Sequence, residues 1–254
     1  MKALLVDGIS LKTKEELQVM RRAGRVVSGL LKLMEKEARV GISTKKLDEI
    51  AEEFIRSHGT EPAFKGYYGF PASICASVNE EVVHGIPGPK ILKEGDIIGI
   101  DVGVKLEGFY SDAARTFAIG EVDAQSRRLI EVTKAALQKG IAQAVEGAKL
   151  SDISWAVQSY AEASGFSVVR QFVGHGIGRN LHEEPQVPNF GKPHEGPELK
   201  VGMTLAIEPM INAGTHEVEI LKDGWTVVTK DRKRSAHFEQ TIFVGERQAE
   251  IVTE

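Results

Sequence analysis

The chain of 254 residues is 42% hydrophobic and 27% charged, an ordinary globular balance with enough length for one large domain or two smaller ones. Its formal net charge of -4 gives no global electrostatic case for nucleic acid, and its single cysteine, Cys75, rules out an intrachain disulfide and fits a reducing compartment. No run approaches the ~18 uninterrupted apolar residues of a transmembrane helix, and residues 1–8 pair a short apolar run with an early Asp7, unlike a signal peptide, so a soluble cytoplasmic chain with no membrane partner is expected.

Thr13-Lys-Glu-Glu16 is a capping box. Leu17, Met20, Val27, Leu30, Leu31 and Met34 follow at helical spacing and predict a helix over about 14–38. Ser43 or Thr44 caps a second helix, where Leu47, Ile50, Ala51, Phe54 and Ile55 form an amphipathic stripe that stops before Gly59. The loop at 61–71 is unusually aromatic, and its Phe64, Tyr67, Tyr68 and Phe70 either line a pocket or fold back as a local cap. Residues 73–78 read as a strand, 79–81 as a turn and 82–84 as the returning strand. His84, beside Gly85 and Pro87, lies off any amphipathic stripe and by itself reads as a structural or exposed histidine.

Residues 97–117 form a predicted hairpin. Ile98, Ile100, Val102 and Val104 recur with period 2, which is the strand signal, and Asp101 falls on the other face between Gly99 and Gly103. A two-residue loop at 106–107 sets Asp101 directly opposite Asp112; a loop at 107–108 makes them diagonal neighbours on one face. Either register brings their Cβ atoms within roughly 4.5–8 Å. Like charges facing each other there destabilise a sheet unless a proton or cation lies between them. The hairpin thus reads as half a metal site or as a solvated hairpin with two exposed aspartates.

Asp123 caps a third predicted helix over about 124–145, ended by Gly147, and a fourth runs from Ser151 or Asp152 to Ser164. The helix pairs echo each other. Gly41, Leu47, Ala51, Phe54 and Gly59 map onto Gly147, Ile153, Val157, Tyr160 and Gly165 at an offset of about 106, and the segment 93–101 maps onto 200–208 at about 107. This suggests an internal duplication of αα-ββ halves, with Asp101 and Glu208 as counterparts across a pseudo-twofold. His175 and His182 lie in a Gly-rich loop, where the backbone can approach a ligand. In a predicted last strand over 236–244, Ala236, Phe238, Gln240 and Ile242 share one face and His237, Glu239 and Thr241 the other. The basic tip at 230–234 reads as a solvated turn.

Asp101, Asp112, His175, Glu208 and Glu239 each fall at a strand end or in a Gly-rich loop. Four carboxylates and one imidazole converge only around cations. Two divalent ions balance that charge, and carboxylates bridge ions roughly 3.5–4 Å apart. An oxygen-rich set with one His suits Mn, Fe or Co, although the order of divalent affinities leaves the metal open. A bridging water with depressed pKa is then the expected nucleophile.

These residues stand in motifs that resemble type I methionine aminopeptidases of the bacterial kind over nearly the whole chain. The motifs are Val83-His84-Gly85-Ile86-Pro87, Ile100-Asp101-Val102, Ser111-Asp112, Gly174-His175-Gly176-Ile177-Gly178, His182-Glu183-Glu184-Pro185, Ile207-Glu208-Pro209-Met210 and Glu239-Gln240-Thr241. The resemblance implies the pita-bread fold, an α/β (α+β) architecture of one domain, 1–254, whose pseudo-symmetric halves, about 13–120 and 121–254, surround a central antiparallel sheet. It implies two divalent ions (Co, Mn, Fe or Zn) on Asp101, Asp112, His175, Glu208 and Glu239, with Glu208 also moving protons. It implies His84 and His182 as contacts to the substrate amide that stabilise the tetrahedral intermediate, and Phe64, Tyr67, Phe70, Cys75, Leu181 and Trp225 as the methionine pocket. Asn79 and Ser235 match positions that hold a monovalent cation in relatives.

The implied activity is removal of the N-terminal methionine from nascent polypeptides whose second residue is small and uncharged, by a cytoplasmic monomer in transient contact with the ribosome. The pocket departs from the bacterial pattern, which more often has Cys, Tyr and Phe where this chain has Phe64, Phe70 and Leu181. An aminopeptidase of altered specificity is therefore the alternative, with a non-catalytic binding homologue behind it. Prolidases and Xaa-Pro aminopeptidases carry a large extra N-terminal domain, and type II methionine aminopeptidases a long insert between the second His and the first Glu. Neither is expected here, nor is a zinc-finger extension.

Overall fold

A computed structural model of the chain describes residues 4–6 and 8–254. Four helices, α1 (Lys14–Glu37), α2 (Thr44–Ser57), α3 (Ala124–Ile141) and α4 (Leu150–Ala163), pack on a set of antiparallel sheets. Thr13 and Glu16 close the capping box expected for α1, and the Ser43 hydroxyl caps α2 by accepting from the Lys46 N–H.

Two helix boundaries differ from the sequence reading. α3 ends at Ile141, four residues short of the predicted 145: Gln143 and Ala144 N–H tighten to the Gly140 and Ile141 carbonyls three residues back, and then Glu146 N–H donates to the Gly245 carbonyl and Gly147 N–H to Leu199. Gly147, with φ +83°, forms the turn into α4 and does not cap α3. The fourth helix begins at Leu150 after Lys149; Asp152 sits inside its first turn and accepts from the Lys149 N–H.

The central hairpin pairs the strands Ile97–Leu106 and Phe109–Ala118 through a two-residue turn at Glu107-Gly108, both with positive φ as a type I′ turn requires. This selects the second of the two registers read from the sequence. Asp112 lies opposite Gly103 and Asp101 opposite Ala114, so the two aspartates are diagonal neighbours. The period-2 face of Ile98, Ile100, Val102 and Val104 is fully buried with α1 and α2 residues such as Val27, Leu31, Leu47 and Ile55. At roughly 25 cal/mol per Å² of apolar surface, that burial is what fixes the register, since a one-residue slip would turn every valine and isoleucine toward the site.

The halves repeat at the level of single hydrogen bonds. Gly41 N–H donates to Leu92 O, Leu92 N–H to Ile42 O and Thr44 N–H to Lys90 O. Gly147 N–H donates to Leu199 O, Leu199 N–H to Ala148 O and Leu150 N–H to Pro197 O. These sets are related by the offsets seen in the sequence, and α2 shifted by 106 residues coincides with α4.

The predicted single strand over 236–244 is two strands, Ser235–His237 and Gln240–Phe243, facing Met210–Asn212 and Thr204–Ile207. One register runs through both pairs, and the ladder breaks where Pro209 has no N–H to donate. The break leaves Glu208 and Glu239 opposed. It also frees Glu239 to exchange backbone bonds with Ala114 of the other half. Thr116 and Thr241 complete that seam through their hydroxyls: Thr116 donates to the His237 carbonyl, and Thr241 accepts from the Asp112 N–H.

Gly24 marks where the C-terminal segment meets α1. A Cβ there would overlap the Val252 carbonyl oxygen. Gly→Ala inside a helix normally stabilises by about 1 kcal/mol, but overpacking costs about 1–3 kcal/mol. Gly24→Ala is therefore expected to lower the thermal unfolding midpoint, and a raised midpoint would show that the Val252 contact is not tight.

Candidate metal centre and its pocket

The five residues singled out as ligands come from both halves and meet at the seam. The hairpin presents Asp101 and Asp112. His175 lies on the short strand Gly174–Gly176, whose neighbour Thr204–Ile207 ends just before Glu208. Glu239 sits in the gap between the strands Ser235–His237 and Gln240–Phe243. Ligand atoms of Asp112, His175 and Glu239 all lie within 4.8 Å of one another. His175 Nε2 is 3.7 Å from Asp112 Oδ2 and 3.5 Å from Glu208 Oε1.

The hydrogen bonds leave ligand atoms free. His175 Nδ1 is 2.9 Å from the Gly176 carbonyl, which can only accept. The ring proton is therefore on Nδ1, and the Nε2 lone pair points at the carboxylates. Thr241 donates its hydroxyl to Asp112 Oδ1 at 2.9 Å, which orients that carboxylate. Asp101 Oδ1 is buried with no hydrogen-bond partner among the described residues. An ionised carboxylate in that position is costly unless a cation faces it.

Burial pushes the Asp101, Glu208 and Glu239 carboxyls well above the usual range, and the neighbouring carboxylates push them further. Asp112, also raised chiefly by burial, stands at about 6. Burial moves the imidazoles the other way: His84, His175 and His182 fall to about 4 and His237 to about 3. Four carboxyls that resist ionising and one neutral imidazole aimed at them make a donor set that fits hard or borderline divalent cations.

The carboxylates form the floor of a cavity of about 630 Å³. All six residues expected in the methionine pocket line it, and so do His84 and His182. Phe70 and Trp225 meet edge-to-face at 5.1 Å, with Cys75 packed against both. His182 stacks edge-on against His175 at 4.3 Å, and its Nδ1 is 2.9 Å from the Tyr67 hydroxyl. His84 has a positive φ of 59° and packs edge-on against Phe172 at 5.6 Å. That left-handed backbone is uncommon for a non-glycine residue and turns the imidazole into the cavity.

Asn79 and Ser235 are brought together, the Ser235 N–H donating to the Asn79 carbonyl, while the Asn79 side chain bonds Asp96 and the Ile97 N–H. The basic tip at 230–234 is laced with acid: Lys230 pairs with Glu217, Arg232 with Glu219 and Arg234 with Asp123.

The sequence reading did not single out two residues of the site. Phe172 lines the cavity beside His84. His237 is buried with Nε2 3.7 Å from Glu208 Oε2. Strand alternation had already put His237 on the Glu239 face, so a signal for it existed; Phe172 had none, because it reaches the cavity from an irregular segment.

The model of metallopeptidase family M24 matches residues 18–246 of the chain. A methionine aminopeptidase of Clostridium perfringens is 54% identical over 245 residues, covering 96% of this chain and 98% of that protein. Methionine aminopeptidase 1 of Bacillus subtilis is also 54% identical, over 95% of this chain and 98% of its own length. Among solved structures, methionine aminopeptidase from Thermotoga maritima superposes with a TM-score of 0.96 at 45% identity, covering 97% of this chain and 99% of that one.

The buried carboxylates set a pH dependence for metal-stripped protein. A carboxyl whose folded pKa is raised removes stability as pH climbs above its unfolded value near 3.8. Asp101→Asn eliminates one such group. In chelator-treated protein the variant is expected to melt higher than wild type at pH 8, with the gap shrinking as pH falls toward that unfolded value; the lowered histidines act alike in both proteins. With Mn²⁺ added the order should reverse. A variant less stable than wild type at pH 8 without metal would mean that Asp101 is not held against its ionisation.

Proposed function

Because the chain belongs to metallopeptidase family M24, we infer that it is a metal-dependent methionine aminopeptidase, releasing N-terminal methionine from polypeptides whose second residue is small. The observation that carries this reading is the buried carboxylate–imidazole cluster at the floor of an aromatic cavity. Asp101, Asp112, His175, Glu208 and Glu239 hold two divalent ions in this proposal, drawn from Co, Mn, Fe or Zn. Such cations supply Lewis acidity and let water act as a nucleophile near neutral pH.

The chain's own groups do the rest. Glu208, whose proton affinity is raised by burial and by Asp101 and Asp112, takes a proton from the attacking water and passes it to the leaving amine. His84 and His182, both neutral at pH 7, donate hydrogen bonds to the substrate amide and to the oxygen that gains charge. Phe64, Tyr67, Phe70, Cys75, Leu181 and Trp225 receive the thioether, a polarizable chain that packs well against ring edges.

No helix among the described residues is long and apolar enough to cross a membrane. A cytoplasmic monomer that meets its substrates as they leave the ribosome agrees with that and with the absence of a disulfide. Asn79 and Ser235 are the proposed monovalent-cation position.

Peptide release by metal-stripped protein reloaded with Mn, Co, Fe or Zn tests the reading. Metal-dependent release of Met from Met-Ala-Ser, with Leu-Ala-Ser and Ala-Pro peptides left intact, is expected. Asp101→Ala should lower activity beyond the 10–100-fold or so that loss of a supporting residue costs. Equal release of Leu would favour altered specificity through Phe64, Phe70 and Leu181. Tight metal binding without cleavage of any peptide would overturn the assignment as an enzyme.

A further inference from the structure

Lys12 and Glu183 are 171 residues apart and form an ion pair at 2.6 Å, with side chains only 3% and 10% exposed. Lys12 directly follows the strand Ile9–Leu11, and its own N–H donates to the Gly202 carbonyl at 2.7 Å. Its ammonium also donates to the Ser10 carbonyl at 3.2 Å. The second oxygen of Glu183 accepts from the Asn180 N–H at 3.0 Å and closes a turn whose inner residues are Leu181 and His182. Gly178 lies over the lysine so closely that a Cβ would overlap Lys12 Cε, and its carbonyl accepts from the Tyr110 N–H at 2.8 Å.

We propose that the buried Lys12–Glu183 pair is a positioning device for His182, anchoring the turn that carries it to the segment preceding α1. The proposal rests on the reading that His182 contacts substrate. A buried ion pair seldom stabilises a fold relative to well-packed apolar residues, so its value lies in the geometry it enforces. Here that geometry is definite. With Glu183 held from below, the His182 ring is placed between the Tyr67 hydroxyl, 2.9 Å from Nδ1, and the ring of His175 at 4.3 Å.

The test is a mutant cycle in the full-length, Mn-loaded protein. Lys12→Met with Glu183→Gln removes both charges and strands neither. In the otherwise wild-type chain it is expected to lower kcat/KM on Met-Ala-Ser about 10–100-fold. Mn²⁺ affinity by calorimetry should stay within about twofold, and in a His182→Ala background the same pair of changes should cost nothing further. The ring-proton signal of His182, read in diamagnetic Zn-loaded protein and assigned by its loss in His182→Ala, should broaden or split in the double variant.

An equal loss in both backgrounds, a parallel fall in Mn²⁺ affinity, or unaltered kinetics with an unaltered ring signal would each overturn the proposal. Full activity of His182→Ala would overturn the reading of His182 itself, and the proposal with it. If the double variant lacks a cooperative melting transition, Glu183→Asp, which keeps both charges but shortens the reach to Lys12 and to the Asn180 N–H, takes its place under the same criteria.

Discussion

Four carboxyl groups buried together at the seam of two halves impose the strongest constraint on this molecule. Asp101, Asp112, Glu208 and Glu239 repel one another in a region that water cannot screen, and burial alone already opposes their ionisation. A sheet would not place them there for stability. Divalent charge between them would make the arrangement favourable, and filling the proposed site would then be coupled to the closure of the two halves.

The rest of the architecture holds those charges in place. Apolar burial against α1 and α2 fixes the hairpin register, and with it the diagonal spacing of Asp101 and Asp112. The missing N–H of Pro209 interrupts a ladder that would otherwise run straight through, which opens room for Glu208 and Glu239 to face inward. Thr116 and Thr241 then join the halves with hydroxyls where backbone pairing lapses, and Thr241 also orients Asp112. Each device is local, yet each acts on the same few carboxylates.

Support extends outward in layers. The Gly176 carbonyl sets the tautomer of His175, and Tyr67 holds His182. Lys12 holds the turn behind His182 through Glu183. Residues as distant in sequence as 12 and 183 therefore converge on the turn that carries one imidazole.

Much of this was legible in the linear chain. The capping box at Thr13, the stripe of α2 and the period-2 run at 98–104 are local patterns imposed by helix and strand geometry, and the structure reproduces them. The repeat at offsets of 106 and 107 was visible because duplicated turns need glycine at matching places, and Gly41 and Gly147 both take positive φ. The candidate ligands were legible because Asp101 and Asp112 fall on one face of a hairpin, where like charges oppose pairing, and because the motifs around all five resemble those of a known family. Choosing between two hairpin registers, ending α3 at Ile141 and splitting the last strand at Phe238-Glu239 depended on partners far away in sequence. So did finding Phe172 against His84 and Lys12 against Gly178 and Glu183. Local sequence determines which backbone conformations are cheap. Which donor meets which acceptor, and which charge is buried beside which, is decided only when the two halves close on each other and exclude water.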